Sequence, residues 1–227
     1  MSSFEKYQKN RLFILGGKLG DVMILSLLWL LCSLPVVTAG AATSALYFSV
    51  VKCLREKTED SPRECFFRSF RGCLKQGIAA SLIYMVFGGF VAADIYVALN
   101  GIGGFTLPEF YKPVAFALVL PIVFTLFFVF PYIGRFSNDL KTIFKNSFLL
   151  SAMHVPHVIG LLLLTAAAML VTVIFPPFVT VTPALCALLG SKMIEADFAQ
   201  ALKPAETADD DAPEEEPSAD TSEEEEN

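Results

Sequence analysis

Long segments without charge constrain this chain more than any other feature. Residues 22–51 include thirty consecutive residues without Asp, Glu, Lys or Arg, and residues 147–191 include forty-five. Two further apolar runs, 78–99 and 113–134, are interrupted only by Asp94. A helix needs about 20 apolar residues to cross the hydrocarbon core of a bilayer. The sequence therefore predicts an all-α, polytopic helical membrane protein whose main partner is the lipid bilayer.

The charge distribution narrows the class of partner further. The chain has 227 residues and a formal net charge of -6, but residues 206–227 hold twelve Asp and Glu and no Lys or Arg. Without that segment the net charge is +6, from 17 basic and 11 acidic residues. A net positive charge, such as residues 1–205 carry, is also typical of nucleic-acid-binding proteins. Here the basic residues lie in short loops between apolar runs, as membrane topology requires, so we expect no nucleic-acid partner.

Positive charges between the runs predict their orientation, because short loops rich in Lys and Arg stay in the cytoplasm. Residues 52–76 carry seven Lys and Arg and residues 135–146 carry three, whereas residues 100–112 carry one. We expect the first two loops inside and the third outside. The run 147–191 is too long for one span and contains Pro176, so it predicts a hairpin that returns the carboxyl terminus to the cytoplasm.

The run 22–51 contains Pro35 near its centre. Both of its flanks are basic, and two cytoplasmic flanks require an even number of crossings. Proline removes a backbone donor and disfavours helix at the preceding residue. We predict two short antiparallel legs of roughly 22 Å each, forming a tight hairpin or re-entrant pair with its turn at residues 35–41. Small residues at the turn let the two legs approach closely, and the chain makes about six passes.

Two alternatives remain for this first run. A single kinked span to about Ala42, followed by an interfacial helix, would place the amino terminus outside and give five passes. A secretory signal peptide with a cleavage site near residues 38–41 is the other alternative. It is disfavoured, because a second apolar leg and then seven basic residues in 52–76 are a poor start for a translocated chain.

Three segments carry a resemblance to a known family: GDVMILSLLWLLCSLPVVTAGAATSALYFSVVKCLRE (20–56), FFRSFRGCLKQG (66–77) and RFSNDLKTIFKNSFLLS (135–151). Over residues 10 to about 198 the chain resembles the YesL-like family of bacterial integral membrane proteins, a domain of unknown function. The resemblance implies a multi-helix protein of the bacterial inner membrane, often encoded beside carbohydrate-uptake genes. It implies no catalytic, metal-binding or cofactor-binding residues, and we expect no cofactor.

A partial internal repeat relates the two predicted turns. Residues 35–46 (PVVTAGAATSAL) and 177–188 (PFVTVTPALCAL) agree at six of twelve positions. Transporters often place a binding site between broken helices in two repeats, so Pro35, Thr38 and Gly40 are candidate functional residues. The alternative is that membrane hairpins built from few residue types resemble one another by chance.

The loop 52–76 predicts a basic amphipathic helix. Ser61 and Glu64 form a capping-box pattern around Pro62, which favours a helix start, and the helix would run to about Gln76. Its phenylalanines would share one face, and Arg68 and Arg71, two candidate functional residues, would lie toward the other. Such a helix binds anionic headgroups with Phe toward the lipid, or docks on a cytosolic partner such as a transport ATPase.

Asp94 is the one acidic residue deep within a predicted span, and charge in lipid is often functional. It is a candidate for proton or solute coupling, although Asn100 and nearby glycines favour a position at the outer interface. His154 and His157 have a spacing that suits two ligands on one helical face, but no nearby Cys or carboxylate completes a metal site. We interpret them as interfacial histidines. No P-loop, nucleophile elbow or zinc-protease motif is present.

The expected domains are a helical membrane domain, residues 1–198, and a disordered acidic cytoplasmic tail, residues 199–227, whose composition cannot form a core. The leading functional hypothesis is a transport-associated component, either a small permease or an accessory to carbohydrate uptake with transporter subunits as partners. The alternative is a regulatory module that acts on a cytosolic partner through helix 62–76. A membrane enzyme with an unfamiliar site ranks last, and the sequence does not predict an oligomeric state.

Overall fold

The computed structural model describes residues 11–56, 61–101, 108–136 and 138–210, with side chains described between residues 17 and 200. Within these ranges the chain is helical and contains no β-strand. The helices are α1 Arg11–Ser33, α2 Ala39–Ser49, α3 Pro62–Asn100, α4 Tyr111–Ala117, α5 Val119–Arg135, α6 Leu140–Met153, α7 Val155–Ile174 and α8 Thr182–Asp210. A π-helical turn, Val50–Arg55, extends α2.

Four described segments are long and apolar enough to cross a bilayer: Val36–Arg55, Pro62–Asn100, Tyr111–Arg135 and Val155–Ile174. The prediction of an all-α membrane protein is therefore confirmed at this level. These four segments differ in how far they are covered. The first is 56 % buried inside the protein, whereas the second and fourth are 11 % buried. The α2 segment is thus the central helix of the bundle.

The predicted helix break at Pro35 is present. Helix α1 ends at Ser33, and a 3-10 turn, Val36–Thr38, leads into α2. Across the break the Trp29 Nε1–H donates a hydrogen bond to Thr43 Oγ1 at 3.1 Å, so α1 and α2 run antiparallel. The two helices form a hairpin, hereafter the α1–α2 hairpin, and not one kinked span that continues to Ala42.

The second predicted break, at Pro176, is also present. A 3-10 turn, Pro176–Thr180, separates α7 from α8. The run 147–191 is not a hairpin throughout, because its first seven residues belong to α6. Helix α6 stops at Met153, because Pro156 has no N–H for a continuing helix. Helix α7 begins at Val155 with Pro156 in its first turn, where the missing N–H is tolerated.

The predicted amphipathic helix 62–76 and the predicted span 78–99 form one continuous helix, α3. Its 39 residues give a length of about 58 Å, roughly twice the hydrocarbon thickness of a bilayer. Ser61 is the N-cap and Pro62 the first helical residue, as expected. However, the Ser61 side chain makes no capping hydrogen bond, so the predicted capping box is not formed.

Small residues of α2 permit very close packing against α3 and α5. An added Cβ on Gly77 of α3 would lie 2.5 Å from Ala41 Cα, and one on Gly134 of α5 would lie 2.7 Å from Ser44 O. Small residues of α2 also contact the other leg of the hairpin, as predicted. Thr43 accepts the bond from Trp29, and Ala45 packs with Leu25. Their closest approaches, however, are to α3 and α5, because the glycines that accept the contact lie on those helices.

Helix α8 continues past the predicted start of the acidic tail. It ends at Asp210, so residues 199–210 lie in the helix and the boundary expected at residue 198 is not a helix end. Residues 211–227, which include most of the predicted disordered tail, lie outside the described residues.

Candidate functional site

The structure does not bring the predicted candidate residues together. Pro35, Thr38 and Gly40 lie at the tip of the α1–α2 hairpin, and Arg71 and Asp94 lie on α3. Arg71 and Asp94 are separated by about 35 Å along the helix axis. The candidates therefore occupy three separate places.

At the tip of the α1–α2 hairpin, the candidate residues satisfy one another's backbone groups. The Thr38 hydroxyl donates to Cys32 O at 2.7 Å and to Pro35 O at 2.9 Å. The Gly40 N–H donates to the hydroxyl oxygen of buried Ser81, on α3, at 3.1 Å. This serine satisfies one of the amide groups that a helix start leaves without an intrahelical partner.

The second tip repeats this arrangement. The Thr180 hydroxyl donates to Pro177 O at 2.9 Å, matching Thr38 and Pro35 at a constant offset of 142 residues. The Ala184 N–H, in the first turn of α8, donates to the hydroxyl oxygen of buried Ser26 at 3.1 Å. The bond from threonine to proline is therefore repeated at equivalent positions of the two tips. Each tip also uses a serine from a neighbouring helix, although the two bonded amides, Gly40 and Ala184, are 144 residues apart.

A charged network joins α2, α5 and α8 and was not predicted. The buried Tyr47 hydroxyl donates to Glu195 Oε1 at 2.9 Å. Arg135 pairs with Glu195 Oε2 and with Glu56 Oε1, each at 3.3 Å. Arg55 Nη1 donates to the Ser191 carbonyl oxygen at 2.8 Å. These residues are far apart in sequence, and no spacing pattern signals their contact.

The two histidines lie beside a carboxylate that sequence reasoning missed. Asp197 of α8 is completely buried, and its Oδ1 lies 2.6 Å from His157 Nδ1 and 3.6 Å from His154 Nε2. The Asp197 Oδ2 has no hydrogen-bond partner among the described residues. Within the same residues, no group of three His, Cys, Asp or Glu side chains is arranged to hold a metal ion.

An open, shallow surface, hereafter the basic groove, lies along one side of the first turns of α3, and all the residues that line it belong to this helix. It has a volume of about 600 Å³ and is lined by Arg63, Glu64, Phe67, Arg68 and Arg71. A smaller cavity of about 220 Å³ adjoins it, shares Arg68, and extends to Arg135.

The phenylalanines of this part of α3 do not form the expected lipid-facing or partner-facing surface. Phe66 is 0 % exposed and packs with Leu25 and Val50 in the protein core, whereas Phe67 is 44 % exposed beside the basic groove. The expectation that the apolar face binds lipid or a partner is therefore corrected for Phe66. The α1–α2 hairpin already covers that face.

Asp94 has a specific partner near the far end of α3. The Tyr111 hydroxyl donates to Asp94 Oδ1 at 2.5 Å, and Asp94 Oδ2 is buried without a partner among the described residues. The Asn100 side-chain amide donates to Tyr96 O and not to Asp94. Asp94 thus belongs to a small polar contact between α3 and α4.

These features define a helical membrane protein with two matched helix breaks around a buried central helix. The family described as "Protein of unknown function, DUF624" matches residues 22–95. The match covers the second half of α1, all of α2, and α3 as far as one residue beyond Asp94. No curated protein matches the chain. No solved structure matches it either.

Proposed function

We propose that this protein is a transport-associated component of the bacterial inner membrane, either a small permease or an accessory to a carbohydrate uptake system. The two matched helix breaks carry the proposal. Interrupted helices are tolerated at membrane depth only where protein groups satisfy the freed backbone. Ser26 and Ser81 do so here, each from a neighbouring helix. Transporters commonly form their binding sites at such breaks.

The position of the first break supports a re-entrant α1–α2 hairpin within a protein of about six passes. Gly40 bonds to Ser81, which is the twentieth residue of the 39-residue α3. The hairpin tip therefore lies beside the middle of α3, and the basic half of α3 flanks the hairpin. Positive charge at that end supports a cytoplasmic location for it and for both termini.

Reporter fusions test this orientation. Fusions after Ser3 and after Glu56 are both expected to report the cytoplasm, and a fusion after Gly101 the periplasm. A periplasmic signal from the Ser3 fusion alone would replace six passes by five.

The contact between Asp94 and Tyr111 supports a coupling role in a permease. A carboxylate held among apolar helices is costly and is commonly retained where an ion or proton is bound. In liposomes that contain the purified chain, uptake of a labelled sugar is expected to be lost in Asp94→Asn. It should persist in Glu109→Gln, which neutralises an exposed carboxylate at the same end of the bundle.

An accessory role has a different outcome. Purification of the tagged full chain in mild detergent should then recover subunits of one transporter, identified by mass spectrometry, at a constant ratio. Recovery of the chain alone, without sugar uptake in liposomes, would contradict the proposed function in both forms.

The basic groove favours a second candidate function, a regulatory module that binds a cytosolic partner. Charge reversal of Arg68 and Arg71 to Glu should abolish recovery of such a partner. The matched reversal of Lys141 and Lys145, which are exposed on α6, should not. Equal recovery from both variants would remove this candidate.

A further inference from the structure

The basic groove carries excess positive charge. Its lining holds three arginines and one glutamate. Phe66, on the buried side of the same helical turns, is 0 % exposed and fixes the rotation of α3. The guanidinium groups of Arg63 and Arg71 are therefore presented on a helix that cannot turn them inward. Planar guanidinium groups bind carboxylates in a bidentate manner.

We propose that this groove binds the acidic carboxyl-terminal segment of the same chain, residues 211–227. That segment carries nine Asp and Glu and no Lys or Arg. Seven of them form two runs, 214–216 and 223–226, so each run offers several carboxylates to neighbouring arginines. The charges of groove and segment are complementary, and this surface is independent of the helix breaks on which the proposed function rests.

The segment can reach the groove. Glu195 of α8 lies 3.3 Å from Arg135, and Arg135 lines the cavity that shares Arg68 with the groove. From Glu195 the helix continues for about 22 Å to Asp210. The seventeen residues that follow span up to about 58 Å when extended, which is more than the return path requires.

Tethering makes weak charge pairs sufficient. Exposed ion pairs contribute little individually and are screened by salt. A segment linked to its site by a short connection, however, has an effective concentration on the order of millimolar. Several simultaneous pairs then keep the segment bound at low ionic strength. Once bound, it excludes other anionic ligands, whether lipid headgroups or an acidic partner, from the groove.

A distance measurement on the full-length protein tests this. Spin labels are introduced through non-canonical amino acids at Ser218 and at Gly72, where an added Cβ atom meets no other atom within 4 Å. In nanodiscs of zwitterionic lipid, diluted with unlabelled protein, we expect a short-distance population at low salt. It should be lost at about 1 M salt, where the Debye length is about 3 Å.

Two charge-neutralised variants locate the binding surface. Arg63→Gln combined with Arg71→Gln should remove the short-distance population, and Arg68 is left unchanged because it makes a further interaction of its own. Lys141→Gln combined with Lys145→Gln removes the same charge from exposed positions outside the groove and should retain the population. Unchanged thermal unfolding of each variant would show that the fold is intact.

Three results would overturn the proposal. The first is the absence of a short-distance population in the wild type at low salt. The second is an equal loss of the short-distance population in both double variants, which would indicate diffuse attraction of the acidic segment to the positive charge of residues 1–205. The third is loss of the population in nanodiscs that contain phosphatidylglycerol, which would assign the groove to lipid headgroups.

Discussion

The two halves of helix α3 belong to one continuous helix but differ in how much of their surface the rest of the protein covers. Residues 62–81, the basic half, include six of the helix's eight buried residues. Residues 82–100, the distal half, include only Val91 and Ala98, and Phe90 is 72 % exposed. The basic half is covered by the α1–α2 hairpin and α5, whereas the distal half presents apolar side chains outward, as lipid contact requires.

The space around the glycines illustrates this difference between the two halves. Gly77 in the basic half lies against Ala41 so closely that no side chain fits, while Gly88 and Gly89 in the distal half have no atom within 4 Å of an added Cβ. Glycine is thus a packing requirement at position 77, where the basic half meets α2, and replaceable at positions 88 and 89 of the distal half. Protein packing determines the structure of the basic half, and lipid compatibility determines that of the distal half.

The largest expected effect is that of Gly77→Val. The added Cβ would lie 2.5 Å from the Cα of Ala41. Because this is a backbone atom, the clash is relieved only if α2 and α3 move apart. We expect the free energy of unfolding in mixed micelles to fall by about 3 kcal/mol, measured through the fluorescence of Trp29, the single tryptophan. Gly88→Val is the matched control and should change it by less than about 1 kcal/mol. Equal destabilisation of the two variants would contradict the comparison.

Glu195→Ala should have the next largest effect. It leaves the buried Tyr47 hydroxyl without its acceptor and removes one of two carboxylates from Arg135. An unpaired buried polar group and a weakened charge pair are expected to lower the free energy of unfolding by about 2 kcal/mol. In a double-mutant cycle, Tyr47→Phe should couple to Glu195→Ala by about 1 kcal/mol. Strict additivity would show that the hydrogen bond contributes nothing.

Ser81→Ala should have a smaller effect of about 1 kcal/mol, because it deprives the Gly40 N–H of its acceptor. Ser33→Ala is the control. The Ser33 hydroxyl is buried without a partner among the described residues, so its removal should leave stability unchanged or raise it slightly. If thermal unfolding shows the reverse order, serine does not stabilise the start of α2.

Tyr111→Phe, which acts on the distal half, should change the melting temperature least. The Tyr111 hydroxyl bonds to Asp94, and both residues are only partly buried. Under the permease proposal the same change should nevertheless lower sugar uptake in liposomes. If the melting temperature of Tyr111→Phe fell as far as that of Glu195→Ala, the stability of the distal half would depend on protein packing.

Most of the helix arrangement along the chain could be predicted from the sequence, because it depends on local composition. Long uncharged runs indicate membrane helices, and prolines indicate their breaks. The errors arose where two signals were taken as two helices. The basic stretch 62–76 and the apolar stretch 78–99 differ in polarity, but only Gly77 separates them, and one glycine without a proline does not end a helix. They therefore form the single helix α3.

Of the candidate site, only parts could be predicted. The pair of proline-containing tips and Asp94 stand out in sequence, but the partners of these residues do not. Asp197 was missed because it lies forty residues from His157, and Glu195 because it lies 148 residues from Tyr47. Nothing local distinguishes either carboxylate from a solvated residue near a helix end.

The sequence by itself determined that the chain forms apolar helices, where two of them break, and that its basic and acidic residues are segregated. These properties follow from hydrophobicity and from the missing N–H of proline, which act within a few residues. Only the tertiary structure decided that α2 packs against Gly77 and Gly134, that Ser26 and Ser81 meet the two helix starts, and that the arginines of α3 line a groove. Those outcomes depend on which helix faces meet, and that is set by the shape of distant segments.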